Sequence, residues 1–165
     1  MTPPKPAGAS FAVRRAEEGD SAGILECLRL AFEPYREEYT PKGFADTVLD
    51  AGTLRGRLKE MSVFVAVGEG GQILGTIGCA AVSDEEGHIR GMAVRPGFQG
   101  RGVAARLLEA AESRLAASGC RRANLDTTAP LKRAIRFYEA HGYRASGTIR
   151  DFFGMPLYEY VKILR

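Results

Sequence analysis

The chain has 165 residues, of which 45% are hydrophobic and 26% are charged, and this balance is typical of an ordinary globular domain. Its net charge of +3 and pI near 8.9 come from charges that are scattered along the chain, which argues against nucleic-acid binding and favours a small anionic ligand. No run reaches the roughly 18 consecutive apolar residues of a membrane span, which excludes a membrane-spanning protein.

Cysteine usage and the first residues indicate the compartment. Cys27, Cys79 and Cys120 are odd in number and widely spaced, so neither a disulfide framework nor a metal site is predicted. Residues 1–9 contain no apolar run, which argues against a secretory signal, and their Pro and Gly content predicts a disordered tail. We therefore expect a cytoplasmic protein with one domain over residues 10–165.

The first third of the chain predicts a strand followed by two helical regions. Residues 10–16 alternate as a strand, and Asp20 is placed to cap a helix over 21–32. Thr40 followed by a proline predicts the entry to a second helical region over about 41–60, broken near Gly52.

The rest of the chain is richer in β-structure. Three apolar runs at 62–68, 72–82 and 87–94 are joined by short connections, which favours antiparallel hairpins. The next element is a helix with an apolar stripe, which ends at Gly119. A strand over 121–128 follows, and then a helix that begins at Pro130 and ends at Gly142. Two strands complete the chain. The stripe consists of Ala104, Leu107, Leu108, Ala111 and Leu115. The predicted fold is a mixed α/β domain of order β-α-α-β-β-β-α-β-α-β-β.

A glycine-rich segment, QGRGVA at residues 99–104, stands just ahead of the striped helix. The first N–H groups of a helix have no partner within it, and together with the helix dipole they attract an anion such as a phosphate. Gly100 and Gly102 leave the approach clear of side chains, so that backbone N–H groups can reach the ligand. The alternative is a strand-to-helix turn with no ligand.

These residues carry a resemblance to a known family. Gln99, Gly102 and Ala104 match the Q/R-x-x-G-x-G/A signature of the GNAT superfamily of acetyl-CoA-dependent N-acetyltransferases. A later segment is similar to the family pattern A-x-x-x-Y-E-x-x-G-F/Y, through Ala134, Tyr138, Glu139, Gly142 and Tyr143. The resemblance implies a GNAT-type fold, a mostly antiparallel sheet flanked by helices, from about residue 10 to the end.

The resemblance also implies a site for coenzyme A. The loop would hold the pyrophosphate, the backbone of strand 87–94 would pair with the pantetheine arm, and a bulge near residues 91–93 would expose an N–H to the thioester carbonyl. Leu131 stands where family members often carry an asparagine. The cofactor-binding residues implied are Met92, Ala93, Val94, Gln99, Gly100, Arg101, Gly102, Val103 and Ala104.

Acetyl transfer needs a neutral amine and a stabilised leaving thiolate, which indicates candidate catalytic residues. His88 stands where several relatives place a glutamate, and imidazole is suited to accept a proton near neutral pH. Glu86, with its neighbour Glu85, is the second candidate base, acting through water. Tyr138 corresponds to the family tyrosine that protonates or hydrogen-bonds the sulfur of coenzyme A. The alternative for His88 and Tyr138 is a purely structural role.

The acceptor is predicted only as an amine, on a small molecule or a protein. Carboxylates and aromatic rings that could attract a cationic amine occur in two segments: Glu33, Tyr35, Glu37, Glu38 and Tyr39 in one, and Asp151, Phe152 and Phe153 in the other. The sequence leaves open whether the chain forms a homodimer.

Two other functions fit parts of the pattern. A non-catalytic sensor of acyl-coenzyme A would share the loop. The segment GRGVAA, with Asp126 further on, also fits the nucleotide fingerprint of a Rossmann oxidoreductase that uses NAD, although three hairpin-linked strands precede it instead of a parallel βαβ unit.

Overall fold

A computed structural model describes residues 10–164, so the tail predicted at 1–9 lies outside the described residues. The seven strands lie where the apolar runs predict them, within a residue or two at each end. They are β1 Phe11–Arg15, β2 Ser62–Gly68, β3 Ile73–Ala81, β4 Glu86–Val94, β5 Arg122–Thr127, β6 Arg144–Phe152 and β7 Met155–Ile163.

Five α-helices complete the order, with a short 3-10 helix at Glu33–Glu38 following the first of them. Their bounds are α1 Ser21–Phe32, α2 Pro41–Val48, α3 Ala51–Glu60, α4 Val103–Ala117 and α5 Lys132–Ala140. The apolar stripe of α4 faces the sheet, and Gly119, at φ 93°, ends that helix.

Three helix boundaries differ from the prediction. The break in the second helical region falls at Leu49, which has φ 66°, and not at Gly52, so the region is two helices; Asp50 begins the second by accepting from the N–H of Thr53. The fifth helix starts at Lys132, two residues after Pro130. Asp20 precedes α1, but its side chain makes no cap there.

The carboxylate of Asp20 is used on the other side of the chain. It pairs with both terminal nitrogens of Arg14, at 2.7 and 2.9 Å, and accepts from the N–H of Glu17 at 2.7 Å. Because these donors stabilise the charged form, Arg14 first among them, the pKa of Asp20 is lowered. The residue therefore fastens β1 to the turn before α1.

The seven strands form one sheet in the order β1-β2-β3-β4-β5-β7-β6. Only β4 and β5 are parallel neighbours; every other adjacent pair is antiparallel. This mixed, mostly antiparallel sheet confirms the predicted fold class and excludes the Rossmann alternative, which requires a parallel doubly wound sheet.

Helices cover both faces of the sheet. On one face α4 buries Leu107, Leu108 and Leu115 against β2, β3 and β4, and Tyr138 and Tyr143 extend that core. On the other face Ile24, Leu28 and Leu54 of α1 and α3 pack on β2 and β3. No helix within residues 10–164 combines the length and the apolar character that crossing a membrane requires.

Candidate active site

Strands β4 and β5 separate part of the way along their length. Their pairing runs from Glu86 beside Arg122 to Ile89 beside Leu125 and then stops, although β4 continues to Val94. On its other side, β4 is bulged against β3 in this same region. A gap therefore opens in the sheet beside residues 90–94.

The edge of β4 along this gap has backbone groups that β5 does not bond. The N–H of Arg95 donates to the carbonyl of Leu74 on β3, and since backbone groups alternate between the two edges of a strand, those of Met92 and Val94 face the gap. The carbonyl of Val94 accepts from the side chain of Gln99 at 3.3 Å. Ala93 packs on the other core with Ile24 and Leu28.

The glycine-rich loop lies at the open end of the gap. Gly100 and Gly102 have φ of 77° and 84°, left-handed values that glycine adopts without strain, and Gly102 is the N-cap of α4. The first backbone hydrogen bond into this turn is from the N–H of Arg106 to the carbonyl of Gly102. The N–H groups of residues 100–105 have no partner among the described residues, so the helix start is an open anion site.

Arg133, at the start of α5, closes over this loop. Its guanidinium donates to Oε1 of Gln99 at 2.9 Å and lies 3.7 Å from the position of a Cβ at Gly100. It is a cation beside the open amides. The sequence pattern did not single it out, because an arginine in the first turn of a helix carries no local signal of a ligand.

His88 belongs to a row of hydrogen bonds on one face of β4 and β5. Its Nδ1 lies 2.5 Å from Oδ1 of Asn124, and Nδ2 of Asn124 donates to Oε1 of Glu86. A carboxylate only accepts, so Glu86 fixes which end of the Asn124 amide faces His88. The amide oxygen facing Nδ1 then requires the proton on Nδ1, which leaves Nε2 as the acceptor nitrogen.

Tyr138 stands on the α4 and α5 side of the gap with 7% of its surface exposed. Its ring makes edge-to-face contacts with Phe137 and Tyr143, at centroid separations of 5.5 and 5.7 Å. Burial raises its pKa well above the ordinary range of a phenol, because the charged form would lose hydration. The hydroxyl therefore stays protonated.

A cavity of about 580 Å³ connects these features. It brings together most of the residues that the sequence predicted for the site, namely His88, Met92, Ala93, Val94, Gln99, Gly100, Gly102, Ala104 and Tyr138. Glu86, Arg101 and Val103 are not in its lining: Glu86 lies behind Asn124, Arg101 is exposed, and the Val103 side chain is in the core.

Some of the residues predicted to bind the acceptor line the cavity, and others lie outside it. Tyr35, Tyr39 and Phe152 line the cavity, and Tyr39 hydrogen-bonds Thr128 at 2.7 Å. Glu33 lies outside it, paired with Arg36 at 2.9 Å, and Glu37, Glu38, Asp151 and Phe153 are also absent from its lining. The cavity receives its acidic groups from Asp46 and Asp126, which the sequence analysis did not propose for the acceptor.

Comparison with known proteins identifies the family. The model of the acetyltransferase (GNAT) family matches residues 24–143, which is most of the chain. The chain belongs to this family. It is an acetyltransferase, and acetyl-CoA is its co-substrate. No curated protein matches it.

Solved structures share the fold at low sequence identity. The PaiA N-acetyltransferase from Thermoplasma acidophilum, in complex with coenzyme A, has a TM-score of 0.80 at 15% identity, over 93% of this chain and 99% of that one. Ard1 from Thermoplasma volcanium has 0.74 at 21%, over 94% and 98%. The ribosomal-protein-S18-alanine N-acetyltransferase from Escherichia coli has 0.73 at 19%, over 94% of each chain.

Proposed function

We propose that residues 10–165 form one N-acetyltransferase domain that moves the acetyl group of acetyl-CoA directly to a primary amine, with no covalent enzyme intermediate. The observation that supports this most is the run of partnerless amides at 100–105, which opens onto a gap between β4 and β5. A diphosphate at those amides and an extended chain along the edge of β4 would direct a thioester toward His88 and Tyr138.

In this proposal the pyrophosphate is held by the loop and by one added cation. The amides at Gly102, Val103 and Ala104 donate to it with the helix dipole behind them. Arg133, fixed by Gln99, adds a guanidinium on the open side. Met92 and Val94 offer backbone groups to the pantetheine arm, and the Arg101 side chain, exposed beside the loop, is available to the outer phosphates.

The proton of the amine goes to His88. A primary amine with a pKa of about 10.4 is mostly protonated at neutral pH. A base therefore increases the fraction of neutral amine that can attack the thioester. Nε2 is the free nitrogen of His88, because Asn124 holds Nδ1. Glu86 acts indirectly, because it orients Asn124, and Asn124 orients His88. We therefore assign Glu86 a positioning role.

The leaving sulfur is stabilised by Tyr138. The nitrogen forms a bond to the carbonyl carbon, the carbon–sulfur bond breaks, and its electron pair goes to sulfur. A thiolate is a weaker base than a phenolate, and burial makes the Tyr138 phenol a still weaker acid. Tyr138 therefore donates a hydrogen bond to the thiolate and keeps its proton, and the proton lost by nitrogen reaches sulfur through His88 and solvent.

Two measurements test this function. Thermal unfolding should shift upward with acetyl-CoA and not with NAD. Release of free thiol from acetyl-CoA, measured with a panel of amines, should then separate an enzyme from a sensor of acyl-coenzyme A. Tight binding with no thiol release for any amine would favour the sensor.

The compartment and the assembly are further parts of the proposal. Cys27, Cys79 and Cys120 are all free and buried, which supports a cytoplasmic protein. For a homodimer, β6 offers the edge of the sheet, and light scattering of the purified protein tests it.

A further inference from the structure

The end of the cavity away from the glycine-rich loop is lined by two carboxylates, Asp46 and Asp126, and two arginines, Arg57 and Arg90. Asp46 pairs with Arg90 at 3.0 Å, and Asp126 pairs with Arg150 at 3.2 Å. Both carboxylates that line this end are therefore already engaged. Arg57 also lines the cavity and belongs to neither of these ion pairs.

The end of the Arg57 side chain lies beside Gly91, at the bulge of β4. A Cβ at Gly91 would lie only 2.6 Å from its Nη1, so a side chain there would force the guanidinium to move. Gly91 also has φ 70°, which a residue with a Cβ rarely adopts. The absence of a side chain at position 91 thus lets the guanidinium lie beside the part of β4 that faces the proposed thioester site.

The guanidinium has no hydrogen bond or ion pair to any other residue within 10–164. Burial lowers the pKa of Arg57 to about 10; the like charge of Arg90 adds to this effect, and the carboxylate of Asp46 opposes it. The open donors of Arg57 lie at the cavity, so an anionic group bound there would gain a charge-assisted hydrogen bond. The fork geometry of the guanidinium matches a carboxylate through two parallel hydrogen bonds.

We propose that Arg57 binds a carboxylate of the acceptor, so that the enzyme acetylates small amino acids or closely similar amino-carboxylates. The inference rests on the proposed function and specifies its acceptor. Since Nη1 of Arg57 lies 2.6 Å from the position of a Cβ at Gly91 and the thioester carbonyl would lie at residues 91–93, the carboxylate and the amine of the acceptor would be separated by only a few bonds. Phe32, Tyr35 and Phe152 line the same end and favour an apolar or aromatic side chain.

The charge distribution argues against other amines. A polyamine would be repelled by Arg57 and Arg90 and would find both carboxylates occupied. The amino terminus of a peptide has a neutral carbonyl where the acceptor carboxylate would be, which leaves the guanidinium without its anion.

The test compares each amino acid with its carboxamide and with its decarboxylated amine, in thiol release from acetyl-CoA. The carboxamide has more free amine at neutral pH than the amino acid, so a preference for the amino acid cannot come from amine reactivity. We expect the amino acid to have the higher kcat/KM. Equal or better turnover of carboxamides, peptides or polyamines would overturn the inference.

The variants are Arg57→Gln and, as a matched control, Arg55→Gln on the exposed side of the same helix. Arg57→Gln should raise KM for the amino acid by about tenfold or more, from the loss of a charge-assisted pair, and should change kcat/KM for the carboxamide by much less. Arg55→Gln should change none of these. An equal loss for acid and carboxamide in Arg57→Gln would contradict a carboxylate site.

A binding measurement separates this inference from the proposed function. In the presence of coenzyme A, N-acetyl amino acids should stabilise the wild-type protein and not Arg57→Gln, whereas N-acetyl amino acid amides should stabilise neither. This outcome without thiol release would keep the carboxylate site and reject the enzyme mechanism. If Arg57→Gln fails to fold, Arg57→Lys, which keeps the charge and loses the fork, should show a smaller rise in KM for the amino acid; an unchanged KM would reject the site.

Discussion

The Nδ1 atom of His88 on β4 lies 2.5 Å from Oδ1 of Asn124 on β5. The two residues are paired across the parallel junction of the sheet, at nearly the last position before the strands separate. The hydrogen bond fixes the imidazole tautomer at the mouth of the gap, where Nε2 is free to accept a proton.

Replacing His88 with alanine should therefore change the pH dependence of turnover. We expect kcat/KM for the amine to fall about 100-fold at neutral pH, and by less near pH 10, because more than a quarter of an amine with a pKa of about 10.4 is already neutral there. The pH–rate profile of the variant measures this. His141→Ala, which removes the other histidine from a position outside the cavity, should keep the wild-type profile; a parallel loss at every pH in His88→Ala would exclude the base role.

Tyr138→Phe should slow turnover with little effect on binding. Loss of one hydrogen-bond donor to the leaving sulfur is expected to lower kcat by about 10- to 100-fold, with KM for acetyl-CoA unchanged. Because burial raises the pKa of Tyr138, its ionisation should cause no decline in wild-type activity up to pH 10.

Tyr143→Phe is the control for that substitution. Tyr143 is fully buried and donates to Glu112 at 2.8 Å, away from the cavity. Its loss should lower the Tm and leave kcat unchanged. Wild-type kcat in Tyr138→Phe would make that tyrosine a structural residue only.

Gly102→Ala tests the glycine-rich loop. At φ 84° a side chain introduces strain of about 1–2 kcal/mol and displaces the first amides of α4. We expect the KM for acetyl-CoA to rise about tenfold, the loss of roughly one charge-assisted hydrogen bond.

Gly97→Ala separates strain from binding. Gly97 has φ 91° with no atoms within 4 Å of its Cβ position, and it lies outside the cavity. Both substitutions should lower the Tm, but only Gly102→Ala should weaken the affinity for acetyl-CoA. Equal affinities in the two variants would place the diphosphate elsewhere.

Asp20→Asn should reveal a pH-dependent contribution to stability. The pKa of Asp20 is lowered in the folded protein, so its contribution is present above the unfolded value of about 3.9 and is lost as the pH falls through the lower folded value. The Tm of the variant should be about 2–4 °C lower at pH 7 and should approach that of the wild type at pH 2–3. Glu18→Gln, an exposed neighbour, should match the wild type at both pH values.

Local pattern was sufficient for most of the fold. The stripe from Ala104 to Leu115 indicates a helix with one buried face, and the short links between the β-rich runs require hairpins, because both signals arise from neighbours in the chain. The break at Leu49 was not predicted, because a leucine at φ 66° is held by tertiary packing that no local pattern records. The pair of Asp50 and Thr53, a capping signal, was present in the sequence and marks the start of α3.

The sequence could predict the parts of the candidate site that lie in a single segment or at a family position. The loop at 99–104 is contiguous and was predicted from its own residues, and His88 and Tyr138 were predicted through their family positions; the structure places all three at one cavity. Asn124, Arg133 and Arg57 were not predicted, because their contacts with His88, Gln99 and Gly91 join residues that lie more than 30 positions apart in the chain. Such partners are brought together by the sheet order, which sequence spacing does not contain.

Because the pairing between β4 and β5 ends early, the sheet is joined over a short length at its parallel junction. Four residue pairs, Glu86–Arg122 to Ile89–Leu125, together with backbone hydrogen bonds to the carbonyl of Glu85, join the first four strands to the last three. In the proposed binding mode, an extended acetyl donor in the gap would form backbone hydrogen bonds where β5 makes none, so its binding would also stabilise the junction between the two parts of the sheet.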